Sequence, residues 1–123
     1  MTKSILLTAF GGAIGSVLRY FTALVVAKYY HNHFPLATFI TNILGCFFIG
    51  LIVGLLSKNN LQNADLRWLL VAGFCGGFTT FSTFGLENIT LFQNNNSFIA
   101  VGYIILSVFV GLFSVWFGLF LTK

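Results

Sequence analysis

Charge is what this sequence lacks most: of its 123 residues two are acidic and six are Lys or Arg, 7% together. Ordinary globular domains carry about 25% charged residues, and a short soluble chain has much surface to cover for its volume. Eight charges do not suffice, so the soluble class is excluded. The net charge is +4, yet the basic residues stand singly rather than in a patch, which argues against a nucleic-acid binder. Cysteine is down to two, Cys46 and Cys75, both inside apolar runs and without a CxxC spacing. They read as small packing residues rather than a disulfide or a metal pair. No nucleophile–base pair or metal cluster stands out, so an enzyme is not expected. Apolar residues alone are plentiful, at 58% with sixteen Phe, and that excludes disorder.

A helix needs about 20 mostly apolar residues to cross a bilayer. Four segments qualify, at about 4–27, 36–56, 68–92 and 98–121, and together they predict one all-α membrane domain over residues 1–123. Three short polar stretches join them, and the only proline, Pro35, opens the second helix at its first turn. The first segment is too long for a signal-peptide core and is interrupted by Arg19, so it reads as a retained helix. With four spans both termini share a side. That side carries Lys3, Lys58, Arg67 and Lys123, with Asp65 nearby; the other carries Lys28, with Arg19 close to it. The positive-inside rule favours cytoplasmic termini by a small margin, a bias compatible with insertion in both orientations.

Small residues recur at helical spacing: Gly11 and Gly15 on the first helix; Cys46, Gly50 and Gly54 on the second; Ser107, Gly111 and Ser114 on the fourth. Such stripes let backbones approach where lipid supplies no hydrophobic drive, and their number suggests packing against a second copy as well as within one bundle.

Polar groups inside the spans are costly unless satisfied or functional. Asn42 shares a face with Thr38 and Cys46, where its amide either bonds a neighbouring helix or points N–H donors into a water-filled path for an anion. The centre of the third span, from Gly73 to Glu87, holds four glycines and two Ser/Thr pairs, poor material for a helix. A break near residues 76–80 is expected, with carbonyls freed at mid-membrane as oxygen ligands for a small hard cation. Beyond it Phe81 and Phe84 share a face beside Ser82 and Thr83, and ring edges, being positive, can flank an anion without trapping it. Glu87 is the only carboxylate within a span; it can pair with Arg19, sit at an aqueous mouth or couple to protons. His31 and His33 lie in a polar loop and read as solvated.

Three motifs carry a resemblance: Gly11-Gly12-x-x-Gly15-x-x-x-Arg19, Thr38-x-x-x-Asn42-x-x-Gly45, and Gly73-x-x-Gly76-Gly77-x-Thr79-Thr80-Phe81-Ser82-Thr83-Phe84-x-x-Glu87. In this order, in a chain of this length, the sequence resembles the Fluc (CrcB) family of fluoride-specific ion channels. The resemblance implies a homodimer of antiparallel, dual-topology subunits in a microbial inner (plasma) membrane. Such a dimer exports fluoride passively through two pores and so relieves fluoride toxicity. It further implies that Asn42, Phe81 and Phe84 line the pores with the hydroxyls of Thr38, Ser82, Thr83 and Ser107. Arg19, Glu87 and Tyr103 complete the candidate pathway. A structural sodium ion (Na+) would sit on the backbone carbonyls of Gly76 and Thr79 from each subunit. The nearest rival, a small proton-coupled multidrug exporter, needs a carboxylate in the first helix, where this chain has Arg19. A non-conducting scaffold is a third reading.

Overall fold

A computed structural model describes every residue except Gln62. Helix α1 spans Thr2–Tyr29 and α2 spans Leu36–Lys58. The third span runs from Ala64 to Gln93 in pieces: α3 (Ala64–Leu66), a widened π-helical stretch (Arg67–Cys75), α4 (Gly76–Phe78) and, after two extended residues, α5 (Phe81–Gln93). Helix α6 (Ser97–Phe120) completes four crossings long and apolar enough for a bilayer. The protein is a multi-pass, all-helical membrane protein with a broken third span. The first two helices outrun the expected segments at both ends or at one, because boundary residues such as Lys28 and Lys58 tolerate helix while their charges reach the interface.

The π-helical stretch was not anticipated. Hydropathy and composition are blind to whether a turn closes on the fourth or the fifth residue, and such widened turns concentrate at functional sites.

Two helix pairs form the bundle: α1 lies along the first half of the third span, and α2 lies along α6. Glycine makes both contacts possible. A Cβ on Gly77 would stand 2.5 Å from the Gly12 carbonyl oxygen, and one on Gly118 would stand 2.5 Å from the Phe47 carbonyl oxygen, so backbone touches backbone at both crossings. Gly11 and Gly15 likewise face the backbone of Leu69, Phe74 and Phe78, and Gly50 faces Val115. The glycines of these stripes are therefore largely occupied inside one chain, while Cys46 and Ser107 of the same stripes border an open hollow. A stripe announces a close neighbour without saying which one.

At one end an aromatic knot closes the bundle. Tyr103 is fully buried and meets Phe84 and Phe34 edge-on, with centroids 4.9 and 5.3 Å away, while Phe34 in turn meets Phe39. Phe34, from the loop before α2, thus ties α2 to α6. At the other end Lys3 pairs with Asp65, both on the surface. Large apolar side chains such as Phe98, Phe109 and Leu112 point outward, the orientation that lipid as solvent demands.

Candidate functional site

The site begins where the third span stops being a helix. Thr79 (φ −83°, ψ 158°) and Thr80 (φ −151°, ψ 116°) are extended, which interrupts the hydrogen-bond ladder at membrane depth. In a continuous helix the Thr80 N–H would bond the Gly76 carbonyl. Here it donates to Asn42 Oδ1 at 2.8 Å, and Asn42 Nδ2 donates back to the Thr80 carbonyl at 3.2 Å. One side chain of α2 thus satisfies both backbone groups of Thr80. Of the two readings open for Asn42, the bond to a neighbouring span is the one formed; its second N–H remains for another acceptor.

Thr80 also organises the start of α5. Its Oγ1 accepts from the Thr83 N–H at 3.2 Å as an N-cap, donates to Thr83 Oγ1 at 3.1 Å and lies 3.3 Å from Ser82 Oγ. Three hydroxyls are gathered within hydrogen-bond reach. Thr80 is not among the site residues expected from the sequence, although the Thr80-x-x-Thr83 spacing before an apolar run is an N-cap signal.

Around the break a groove of about 390 Å³ opens on one side of the chain, lined by Asn42, Cys46, Gly76, Thr79, Thr80, Phe81, Phe84 and Ser107. It brings together five of the expected pathway and carbonyl positions from α2 and the third span with Ser107 from α6. Phe81 is 83% exposed in it; Phe84, whose ring centroid is 5.7 Å away, is half-buried against Tyr103. Ser107 Oγ is buried without a hydrogen-bond partner among the described residues. A second hollow of about 360 Å³ lies behind the break and gathers Arg19, Thr38, Thr41, Thr80 and Thr83. Thr38 and Thr83 therefore belong to this side, away from the Phe81–Phe84 groove. Thr80 alone among the hydroxyl residues borders both.

Arg19 Nη1 donates to the Thr79 carbonyl at 3.3 Å, and Tyr103 Oη donates to Glu87 Oε1 at 3.5 Å. The suggested pairing of Arg19 with Glu87 is not formed. A guanidinium in α1 faces the break directly, whereas Glu87, two turns into α5, faces the buried Tyr103. His31 and His33 stand exposed in the α1–α2 loop and line neither hollow. Asn88 was overlooked altogether. It is buried and its Nδ2 donates to the Phe84 carbonyl at 2.9 Å, while its Oδ1 has no partner among the described residues.

Carbonyl oxygens are also available here. The Gly76 carbonyl has lost the Thr80 N–H that a helix would supply, and Thr79 offers its own to Arg19. Uncharged oxygens at a backbone break suit a hard monovalent cation.

Comparison with known proteins agrees with this geometry. Residues 6–119 match the family model described as CrcB-like protein, Camphor Resistance (CrcB). A protein named Fluoride-specific ion channel FluC from Flavobacterium psychrophilum is 53% identical over 121 residues, covering 98% of both chains. Proteins of the same name from Azobacteroides pseudotrichonymphae and Methylobacillus flagellatus are each 46% identical, over 123 and 120 residues, covering 100% and 97% of this chain and 98% and 94% of theirs. With its break, its groove and full-length similarity in agreement, the chain belongs to the CrcB-like family.

Proposed function

We propose that this protein is a passive, fluoride-specific ion channel that works as an antiparallel homodimer in a microbial plasma membrane and relieves fluoride toxicity. The observation that carries this reading is the one-sided groove. It places an amide, hydroxyls, the carbonyls of the helix break and the rings of Phe81 and Phe84 together at bilayer depth, open along one side of a single chain. Irregular backbone and polar groups at that depth are tolerated only against protein or water, so lipid is not an acceptable neighbour for this surface. A second copy laid over the groove encloses it and doubles it. The shared name of full-length relatives supplies the ion.

The chemistry follows from cost. Moving a carboxylate-sized ion from water into a low-dielectric medium costs on the order of 20 kcal/mol, and fluoride is smaller. Replacement of its hydration therefore has to be nearly complete and nowhere tight, because conduction needs several weak sites. Ser107 offers an O–H donor, Asn42 its second N–H, and the Phe rings their edges. Arg19, drawn to the Thr79 carbonyl, adds a fixed positive charge behind the break. Gly76 and Thr79 of two copies would hold a sodium ion on four carbonyls, which supplies a fixed positive charge at the dimer centre.

The test is efflux from reconstituted vesicles read by a fluoride electrode. Fluoride release with no proton gradient is expected. Vesicles that hold fluoride as well as empty ones overturn the reading, and drug/proton exchange in its place supports an exporter, which the absence of any carboxylate in α1 already disfavours.

A further inference from the structure

We propose that Asn42 is a positioning residue that holds the third span open. By taking the Thr80 N–H, it keeps that group from closing a helical bond onto the Gly76 carbonyl.

The Gly- and Thr-rich composition makes a break cheap, but nothing in the local backbone fixes it at Thr79–Thr80. No glycine in the chain uses a positive φ, and Gly76 itself has ordinary helical angles (φ −63°, ψ −37°). Proline is absent from the segment, so no N–H is missing and no ring blocks the preceding turn. Thr79 and Thr80 sit in the extended region that any residue adopts, and both could as well continue the helix. In a bilayer the continuous helix is the default, since it pairs every backbone group within the segment. An extended pair of residues needs outside partners of equal quality.

Asn42 provides them for Thr80, as Arg19 does for the Thr79 carbonyl. A carboxamide carries the same acceptor and donor as a peptide unit, and here both are engaged with one residue, at 2.8 and 3.2 Å. It competes with the Gly76 carbonyl for a single proton and wins it. The carbonyl left behind is one of the two oxygens on which the sodium proposal relies. Asn42 thereby decides from α2 whether the third span presents an open oxygen or a closed turn. The hydroxyl cluster follows, because the N-cap role of Thr80 requires its extended conformation. The clamp itself is independent of what the protein conducts; its consequence for flux rests on the fluoride reading above.

The test is amide exchange by NMR on protein labelled with 15N-threonine and 13C-carbonyl glycine, with fluoride efflux measured on the same preparations. Three variants are compared: Asn42→Ser, which removes both bonds; Asn42→Leu, which keeps the volume so that misfolding of one variant does not end the test; and Asn42→Asp, which keeps the acceptor. Expected for Ser and Leu is a Gly76 carbonyl resonance moved toward its hydrogen-bonded position and a fluoride flux about tenfold lower or less. Thr80 in Asn42→Asp keeps its wild-type exchange and the Gly76 resonance stays put, although the added charge suppresses flux. A Gly76 resonance unmoved in Ser and Leu overturns the clamp, as does equal displacement in Asp. A moved resonance with wild-type flux overturns its role in conduction. Silent wild-type vesicles overturn the fluoride reading instead, and the Gly76 and Thr80 signals then decide the clamp alone.

Discussion

Phe81 and Phe84 stand three residues apart on α5 and share the groove, yet they are held differently, and that difference makes them separable. Phe81 is 83% exposed in one chain; Phe84 packs edge-on against the fully buried Tyr103. Phe81→Ile is expected to lower fluoride efflux about tenfold or more, equivalent to roughly 1.4 kcal/mol of barrier, while the melting temperature in detergent stays put. Phe84→Ile loses the Tyr103 contact as well, so efflux falls and stability drops by about 1–2 kcal/mol. Normal efflux in both variants removes the rings from the pathway. These rings and Asn42 were legible as candidates because polar and aromatic types at helical spacing stand out inside an apolar run. The role of Thr80 was not, because it depends on one residue leaving the helix and on a partner 38 positions away. The Arg19–Glu87 pairing misled for a related reason: opposite charges in one bilayer invite pairing, but Arg19 is satisfied by a carbonyl.

At the scale of elements, the crossing of α1 with the first half of the third span is the contact least tolerant of volume. A Cβ on Gly15 meets the backbone of Phe74 and Phe78, which cannot rotate away as a side chain would. Gly15→Val is expected to destabilise the fold by about 3 kcal/mol, read as a lower unfolding temperature and reduced yield from membranes. Gly102→Ala is the control: nothing lies within 4 Å of the added atom, and replacing glycine inside a helix gains roughly 0.5–1 kcal/mol. Equal effects at the two positions would show that the crossing does not depend on close backbone contact. Four spans and a break in the third were legible, since long apolar runs and a Gly/Thr-rich centre are statements about solvent and backbone cost. The widened turns over Arg67–Cys75 were not, and neither was the destination of each glycine stripe, because both are settled by which surfaces meet.

The scale of the whole molecule turns on charge at the two ends of the bundle. The end with both termini carries Lys3, Lys58, Arg67 and Lys123, of which Lys3 is paired with Asp65; the other carries Lys28. Orientation responds to Lys and Arg in short loops, and a margin of four against one is overturned when two cations are removed at one end and two added at the other. Antiparallel pairing requires both orientations in one membrane, so a chain forced into one of them loses its partner. Asn32→Lys and Asn94→Lys combined with Lys58→Gln and Arg67→Gln shift the balance toward one end, and Asn59→Lys with Leu61→Lys loads the other; Asn60 and Asn95, at φ 51° and 59°, are left alone because lysine there would be strained. Each of these two variants expressed alone is expected to insert one way, read by the accessibility of a C-terminal tag, and to conduct fluoride poorly. Co-expression of the two is expected to restore flux, because it supplies each with an inverted partner and changes nothing in the groove. Full flux from a tag-verified single-orientation population would overturn antiparallel pairing and leave the groove to be enclosed by a parallel copy or by another protein.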